Sequence, residues 1–272
     1  MKPVYLQMIG AGVAAMSMIA APQVHAEGDW EGTVGLGAVW GPEYLGSSKN
    51  EAGAFPVLDL TWRDRLFIGD SGIGGYIFNT EDFTLSASIG YDGGREEDDS
   101  DFLRGLGDIK GGAVYNIGFE YDIGPVTPYL DVTKYSKGSE GLSATVGVET
   151  MVPLRVLTGR ASISSLEHAE SPLDFGPLLT AGISADWGND DYNSAYYGVT
   201  AAQSASSGLS QYTATSGFHA VNLELGIQVP VTERFSVGGA VVYSQLTGDA
   251  KDSPIARETS GTSVGLFGMY SF

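Results

Sequence analysis

Read in steps of two, the chain alternates apolar and polar residues in one segment after another. Val34, Leu36, Ala38 and Trp40 oppose Thr33, Gly35 and Gly37, and Leu58, Leu60 and Trp62 oppose Asp59 and Thr61. Phe83, Leu85, Ala87, Ile89 and Tyr91 face away from Thr84, Ser86, Ser88 and Gly90. The same period runs from Ile109 to Ile123, Val126 to Tyr135, Leu142 to Glu149, Phe175 to Trp187, Val221 to Val229 and Phe235 to Tyr243. It closes with Thr262 to Phe272, where Val264, Leu266, Tyr270 and Phe272 share a face and Phe267 and Met269 interrupt the polar one. A period of two is what a strand shows when its two faces meet different media. Leu66 to Phe78 reads as a weaker strand broken by glycines, and Arg160 to Glu167 as a poorly patterned one.

Segment length and aromatic placement decide between a sandwich in water and a barrel in lipid. Many of these runs reach ten residues or more, whereas strands of globular proteins average about five or six. Phe83 and Tyr91 bracket their run at a separation of about 26 Å, and Phe175 and Trp187 at about 39 Å, using ~3.3 Å per residue. Tilted by ~40°, those spans become roughly 20 and 30 Å, around the ~25 Å apolar band of a membrane barrel with its aromatic girdles. The pattern therefore predicts an all-β fold, a closed antiparallel transmembrane β-barrel with apolar side chains outward. Closure is required because an open edge in lipid leaves amides unpaired.

With Leu66 to Phe78 counted, eleven strands are read, and a bacterial barrel needs an even number. Taking Arg160 to Glu167 as the twelfth gives about 12 strands, within a range of 10–14. The 188–217 and 247–261 loops then share one end, and the acidic 92–108 loop falls at the other, where turns are usually short. The aromatic end, Tyr270 and Phe272, reads as the barrel-insertion signal.

The first residues carry an address rather than structure. Lys2, the apolar run Val4 to Ile19 and the small-residue site Val24-His25-Ala26 predict a signal peptide over 1–26, leaving the barrel as 27–272. No later window is apolar for long enough to predict a spanning helix. Absence of cysteine removes disulfides and thiolate metal sites from an exported chain. A net charge of −19 excludes a nucleic-acid partner, which would need cationic surface against phosphate. A hydrophobic share of 43% is too high for an acidic disordered protein.

Chemistry is thinly signalled. Beyond the signal peptide two histidines remain, His168 and His219, and Ser164 or Ser165 beside His168 could begin a hydrolytic set. No Gly-x-Ser-x-Gly elbow accompanies them, and the sequence predicts no catalytic residues and no cofactor. The Glu96–Asp101 run is acidic enough for calcium but lacks the spacing of an EF-hand, so it reads as a solvated charge run and not as a metal site. On the polar faces, Glu120, Asp122, Glu149 and Glu224, with Asp59 and Asp131, are candidate lumen acids that would favour cations in any pore. Side chains plugging so narrow a barrel is the alternative.

The loops carry longer motifs: Pro42-Glu43-Tyr44-Leu45-Gly46-Ser47, then Gly94-Arg95-Glu96-Glu97-Asp98-Asp99-Ser100-Asp101 with Leu103-Arg104-Gly105-Leu106-Gly107-Asp108-Ile109. Further on come Trp187-Gly188-Asn189-Asp190-Asp191-Tyr192, Tyr197-Gly198-Val199 with Ala202-Gln203-Ser204-Ala205 and Ser207-Gly208-Leu209, and Leu246-Thr247-Gly248-Asp249-Ala250 with Asp252-Ser253-Pro254-Ile255. In this order they resemble the MipA/OmpV family, the MltA-interacting outer-membrane proteins, although Met151 to Pro172 is longer than the family's usual turn. The resemblance implies a non-enzymatic barrel in the outer membrane of a Gram-negative cell. In one member such a barrel scaffolds a murein-cleaving lytic transglycosylase and a murein polymerase; other members are linked to adhesion or solute uptake. The expected partners are thus outer-membrane lipid, a lytic transglycosylase and a murein polymerase, with a cation-preferring solute channel and an outer-membrane hydrolase as alternatives. The family offers no established catalytic residue to carry over.

Overall fold

The computed structural model describes residues 29–162 and 171–272. Twelve antiparallel strands close into one barrel: β1 (Trp30–Pro42), β2 (Asn50–Trp62), β3 (Leu66–Gly69), β4 (Gly72–Asn79), β5 (Phe83–Arg95), β6 (Ile109–Tyr121), β7 (Val126–Tyr135), β8 (Leu142–Pro153), β9 (Leu178–Gly188), β10 (Gly217–Pro230), β11 (Phe235–Leu246) and β12 (Ser260–Ser271). Each strand pairs with its sequence neighbours, and β12 returns to β1 through Thr33↔Ser271 to Trp40↔Val264. Among the described residues five short α-helices lie in the connections: α1 (Leu154–Leu157), α2 (Pro172–Phe175), α3 (Asp190–Tyr197), α4 (Ala201–Ser207) and α5 (Gly248–Lys251).

The alternation resolves as an outward apolar surface. Leu36, Tyr91, Leu225 and Leu266 are 73%, 76%, 66% and 66% exposed, levels that only a hydrocarbon surrounding makes favourable. Exposed aromatics form two girdles, one through Trp30, Tyr121, Phe235 and Tyr270 and the other through Trp40, Tyr91, Phe218 and Tyr243. Trp30 and Trp40 on β1 stand about 33 Å apart along the strand, or about 25 Å across the membrane after a ~40° tilt.

Two expectations are corrected. The twelfth strand is not Arg160 to Glu167: residues 160–162 are not strand, and 163–170 lie outside the described residues. It comes instead from the glycine-broken stretch, which folds back on itself at Asp70 and Ser71 to give β3 and β4, paired from Leu66↔Gly75 to Gly69↔Gly72. Gly72 permits the reversal because its φ is +104°, and a Cβ there would lie 2.2 Å from the Ile89 carbonyl oxygen. The extra reversal also moves the 92–108 loop to the same end as 188–217 and 247–261, which removes the conflict with short inner turns. Secondly, Phe175 is not the start of a strand; it ends α2, and β9 begins at Leu178.

We call the end carrying Trp30 and Ser271 the near rim and the opposite end the far rim. At the near rim the β2–β3 turn places Arg63 and Asp64 at φ values of 50° and 52° without glycine. Arg63 offsets that strain by a two-pronged pair with Asp29 at 2.8 Å and by lying 5.0 Å over the Trp62 ring.

Candidate functional site: a loop lid above a two-sided lumen

The inward faces of the strands differ from one side of the barrel to the other. On β1, β2, β11 and β12 they contribute Val39, Phe55, Val57, Ala240, Phe267 and Met269, a single buried apolar cluster. Phe267 and Met269, which interrupted the polar face of the last strand, are therefore interior packing. Across the barrel the inward residues are acids and hydroxyls. Glu149 and Glu224 flank Gly182 in one row, and a Cβ at Gly182 would lie 3.8 Å from the Cβ of each. Two inward rows further up, Asp186 accepts from Thr145 Oγ1 and Asn222 Nδ2, both at 2.8 Å. Glu120 and Asp131 line the adjacent strands β6 and β7, and Asp59 lies inward on β2. Asp122 continues the face of Glu120 just past the end of β6, at the near rim, where it accepts from Thr127 Oγ1 at 2.5 Å. Tyr270 is outward at 42% exposure, and Phe272 caps the closing seam through backbone bonds in both directions with Gly32.

Above this lumen the far-rim connections fold into a lid. Its core joins Tyr44 from the β1–β2 connection, Leu103 and Leu106 from β5–β6, Val199 from β9–β10 and Ile255 from β11–β12, each at most 4% exposed. A second cluster continues it through Tyr197, Ala214, Leu246 and Ala250. Polar bonds stitch the same loops together. Tyr44 OH donates to Ile255 O at 3.0 Å, Ser253 Oγ to Tyr197 O at 2.6 Å, and Gln203 Nε2 to Leu106 O at 2.6 Å. Helix α3 begins at Asn189, whose side chain accepts from Tyr192 N–H, and α4 begins at a capping box formed by Thr200 and Gln203. Asp249 accepts from Thr215 N–H and Oγ1 at 2.8 and 2.7 Å, which holds its carboxyl below the usual range. Burial pushes Tyr44 up to about 12 and raises Tyr192, Tyr196 and Tyr197 as well.

The acidic run 96–101 is consumed by this architecture. Glu97 Oε2 accepts from Gly105 and Gly107 N–H, Asp99 Oδ2 from Glu96 N–H, and Asp101 pairs with Lys49 at 2.8 Å. Arg95 is 5% exposed beneath the lid, with Nη1 donating to Tyr196 O at 2.9 Å and its guanidinium 5.9 Å from that ring. His219 is enclosed by the rings of Tyr192 and Tyr197, each at 5.4 Å, and is bonded to no serine among the described residues. Ser164, Ser165 and His168 lie outside the described residues.

The lid core was missed by pattern reading, because loop residues obey no period. One signal could have found it: Tyr44, Leu103, Leu106, Val199 and Ile255 are apolar residues inside otherwise polar, turn-rich motifs. Those motifs, scattered along the chain, meet at one rim.

Set beside known proteins, residues 34–272 match the family model described as MltA-interacting protein MipA. Two curated relatives, the MltA-interacting proteins of Escherichia coli (strain K12) and Shigella flexneri, are each 32% identical over 84 residues, 31% of this chain and 34% of theirs. The match thus spans about a third of the length of these relatives. Among solved structures, the COG4313 outer membrane channel from Pseudomonas putida F1 aligns at a TM-score of 0.42 and 13% identity, over 91% of this chain and 97% of that one. The outer membrane channel DcaP of Acinetobacter baumannii aligns at 0.40 and 10%, over 89% and 96%.

Proposed function

This chain belongs to the MltA-interacting protein MipA family, and from that premise we propose that it is a non-enzymatic outer-membrane barrel that binds protein partners at its near rim. The first partner is a murein-cleaving lytic transglycosylase; a murein polymerase is the second. One observation carries the choice of rim. The other connections there are tight turns, whereas the β8–β9 connection, residues 154–177, is long and presents Leu157 and Leu173 at 60% and 46% exposure. Its ends are braced: Leu154 N–H donates to Pro177 O at 2.8 Å and Arg155 Nη1 to Asp174 O at 2.5 Å. Exposed leucines on a braced platform suit docking, since association draws on apolar anchors already held in place. Far-rim loops satisfy one another and offer less.

The test is crosslinking in intact envelopes followed by capture of the barrel. A lytic transglycosylase should be retrieved with the wild-type chain and lost with Leu157→Asp combined with Leu173→Asp, while the lid variant Leu103→Ala retains it. Repeated failure to retrieve the enzyme, or retrieval unaffected by the paired aspartates, would overturn the reading.

A second reading rests on the acid wall. Glu120, Asp131, Glu149 and Glu224 on β6, β7, β8 and β10 would favour a cation-preferring solute channel. Planar-bilayer recordings decide it: Glu149→Gln with Glu224→Gln should weaken cation preference, and no conductance or an anion preference removes the channel.

A further inference from the structure

The barrel wall contains a window. Because β3 and β4 turn back at Asp70 and Ser71, β2 meets β3 only through Leu60, Thr61 and Trp62, and β4 leaves β5 at Ile73↔Ile89. Beyond those points, among the described residues, 50–59 of β2 pair only with β1 and 90–95 of β5 only with β6. The 96–108 loop crosses above the opening to the β1–β2 connection. Ser100 Oγ donates to Glu43 Oε2 at 2.6 Å there, and Lys49 Nζ to Asp101 at 2.8 Å. Below, the β3–β4 turn forms the sill, with Ser71 O accepting from Ser88 Oγ and Asn116 Nδ2.

This window stands at the level of the lipid. Leu36 and Trp40, 73% and 50% exposed, lie beside Pro56 and Ala52 on one flank, and Tyr91 stands on the other. An open strand edge in hydrocarbon leaves amides unpaired, so the chemistry of this edge is informative. Bonds alternate along an antiparallel pair. Arg63 N–H donates to Asp29 O and Glu43 N–H to Lys49 O, so odd-numbered residues of β2 bond to β1. Asn50, Ala52, Ala54, Pro56 and Leu58 therefore turn their backbone groups into the window. Pro56 has no N–H to leave unpaired, and the Leu58 carbonyl is shielded by the sill, 3.6 Å from where a Gly69 side chain would start. Pro56 thus removes one donor from the deep part of the edge and blunts it against an added strand, while the Ala54 and Leu58 N–H groups remain. Its shallow part, at Asn50 and Ala52, is level with Trp40 and within reach of water and headgroups. Behind the opening Phe55, Val57 and Phe67 supply an apolar stretch of inner wall, between Glu51 and Asp59 on β2.

We propose that this window is a lateral binding site for the acyl chain of an amphiphile from the outer half of the membrane. The hydrocarbon lies between β2 and β5 against Pro56 and the apolar inner wall, and the polar head sits at the level of Asn50. With the lid folded over the mouth, the membrane is the direct route to the interior.

The absence of native cysteine permits single labels. A fluorophore at Glu51→Cys, on the inward face of β2, reports the window, and one at Gly182→Cys reports the acid wall, where an added Cβ meets nothing nearer than 3.7 Å. Barrels in lipid nanodiscs are titrated with a dibrominated fatty acid as quencher. Saturable quenching is expected at 51 and not at 182. Gly93→Trp should fold, since an added Cβ there meets nothing within 4 Å. By obstructing the flank it should weaken binding about tenfold, the effect of denying the chain two buried methylenes. Quenching that never saturates, equal quenching at both labels, no effect of Gly93→Trp, or displacement of the probe by an extended peptide and not by oleate would overturn the proposal.

Discussion

Replacing Leu103 by alanine separates the lid from the barrel energetically. Leu103 is fully buried and sits where four far-rim connections converge, touching the cluster of Tyr44, Leu106, Val199 and Ile255. Truncating such a leucine removes transfer free energy and leaves a cavity, at about 3 kcal/mol within the range for buried leucines. Each tenfold in an equilibrium constant corresponds to about 1.4 kcal/mol, so the opened lid becomes roughly a hundredfold more populated. The ladder of strands does not depend on this cluster, and its closure should survive. Hydrogen exchange in nanodiscs reads the difference directly, because amides of 189–216 exchange through lid opening whereas strand amides exchange through deeper unfolding. The expected result is roughly a hundredfold faster exchange across 96–108 and 189–216, with strand protection and heat-modifiable migration unchanged. Leu225→Ala, on the lipid-facing surface at 66% exposure, is the control and should leave lid exchange unaltered. If Leu103→Ala changes exchange in 189–216 by less than about threefold, the loops do not act as one unit. If the strands lose protection equally, lid and barrel are a single cooperative body and the reasoning fails.

Alkaline titration should open the same lid. Tyr44, Tyr192, Tyr196 and Tyr197 are held protonated by burial, Tyr44 up to about 12. A raised folded value contributes stability below the ordinary tyrosine range near ~10 and loses it as pH climbs through the folded value, so tyrosinate absorbance and lid exchange should rise together between pH ~10 and ~12. Asp249 behaves oppositely: its folded value is depressed by the Thr215 donors, so its contribution is present above ~3.9 and fades as pH falls through the lower folded value. Exchange around Thr215 should therefore accelerate in acid, and in Asp249→Asn it should be fast at neutral pH as well. Phe272→Ala should lower the fraction of chain assembled into the outer membrane, read by heat-modifiable migration, while refolding in detergent proceeds normally; equal assembly of both chains would remove Phe272 from any insertion signal.

Strand faces were legible because two media write the same period into every spanning segment. Val34, Leu58, Ile183 and Leu266 all stand outward where alternation assigned them. The reversal between β3 and β4 was hidden because Gly69, Gly72, Gly74 and Gly75 carry no side chain to show a face. Phe267 and Met269 broke the pattern for a physical reason: one sector of the interior is dry, so an inward position there can be apolar. The lid was illegible from periodicity, since its contacts join residues such as Tyr44 and Ile255 from opposite ends of the chain. Nor does any local signal reveal that β3 covers β2 only from Leu60 to Trp62; only the register does.

The dry inner cluster belongs to the strands that come first and last in the polypeptide. Ring closure therefore glues oil to oil as well as amide to carbonyl: until β12 arrives, Val39, Phe55 and Val57 form a greasy strip without its facing half. A nascent sheet in that state carries its own incentive to finish the circle, and a chain shortened by its final strand would keep a sticky seam that invites aggregation.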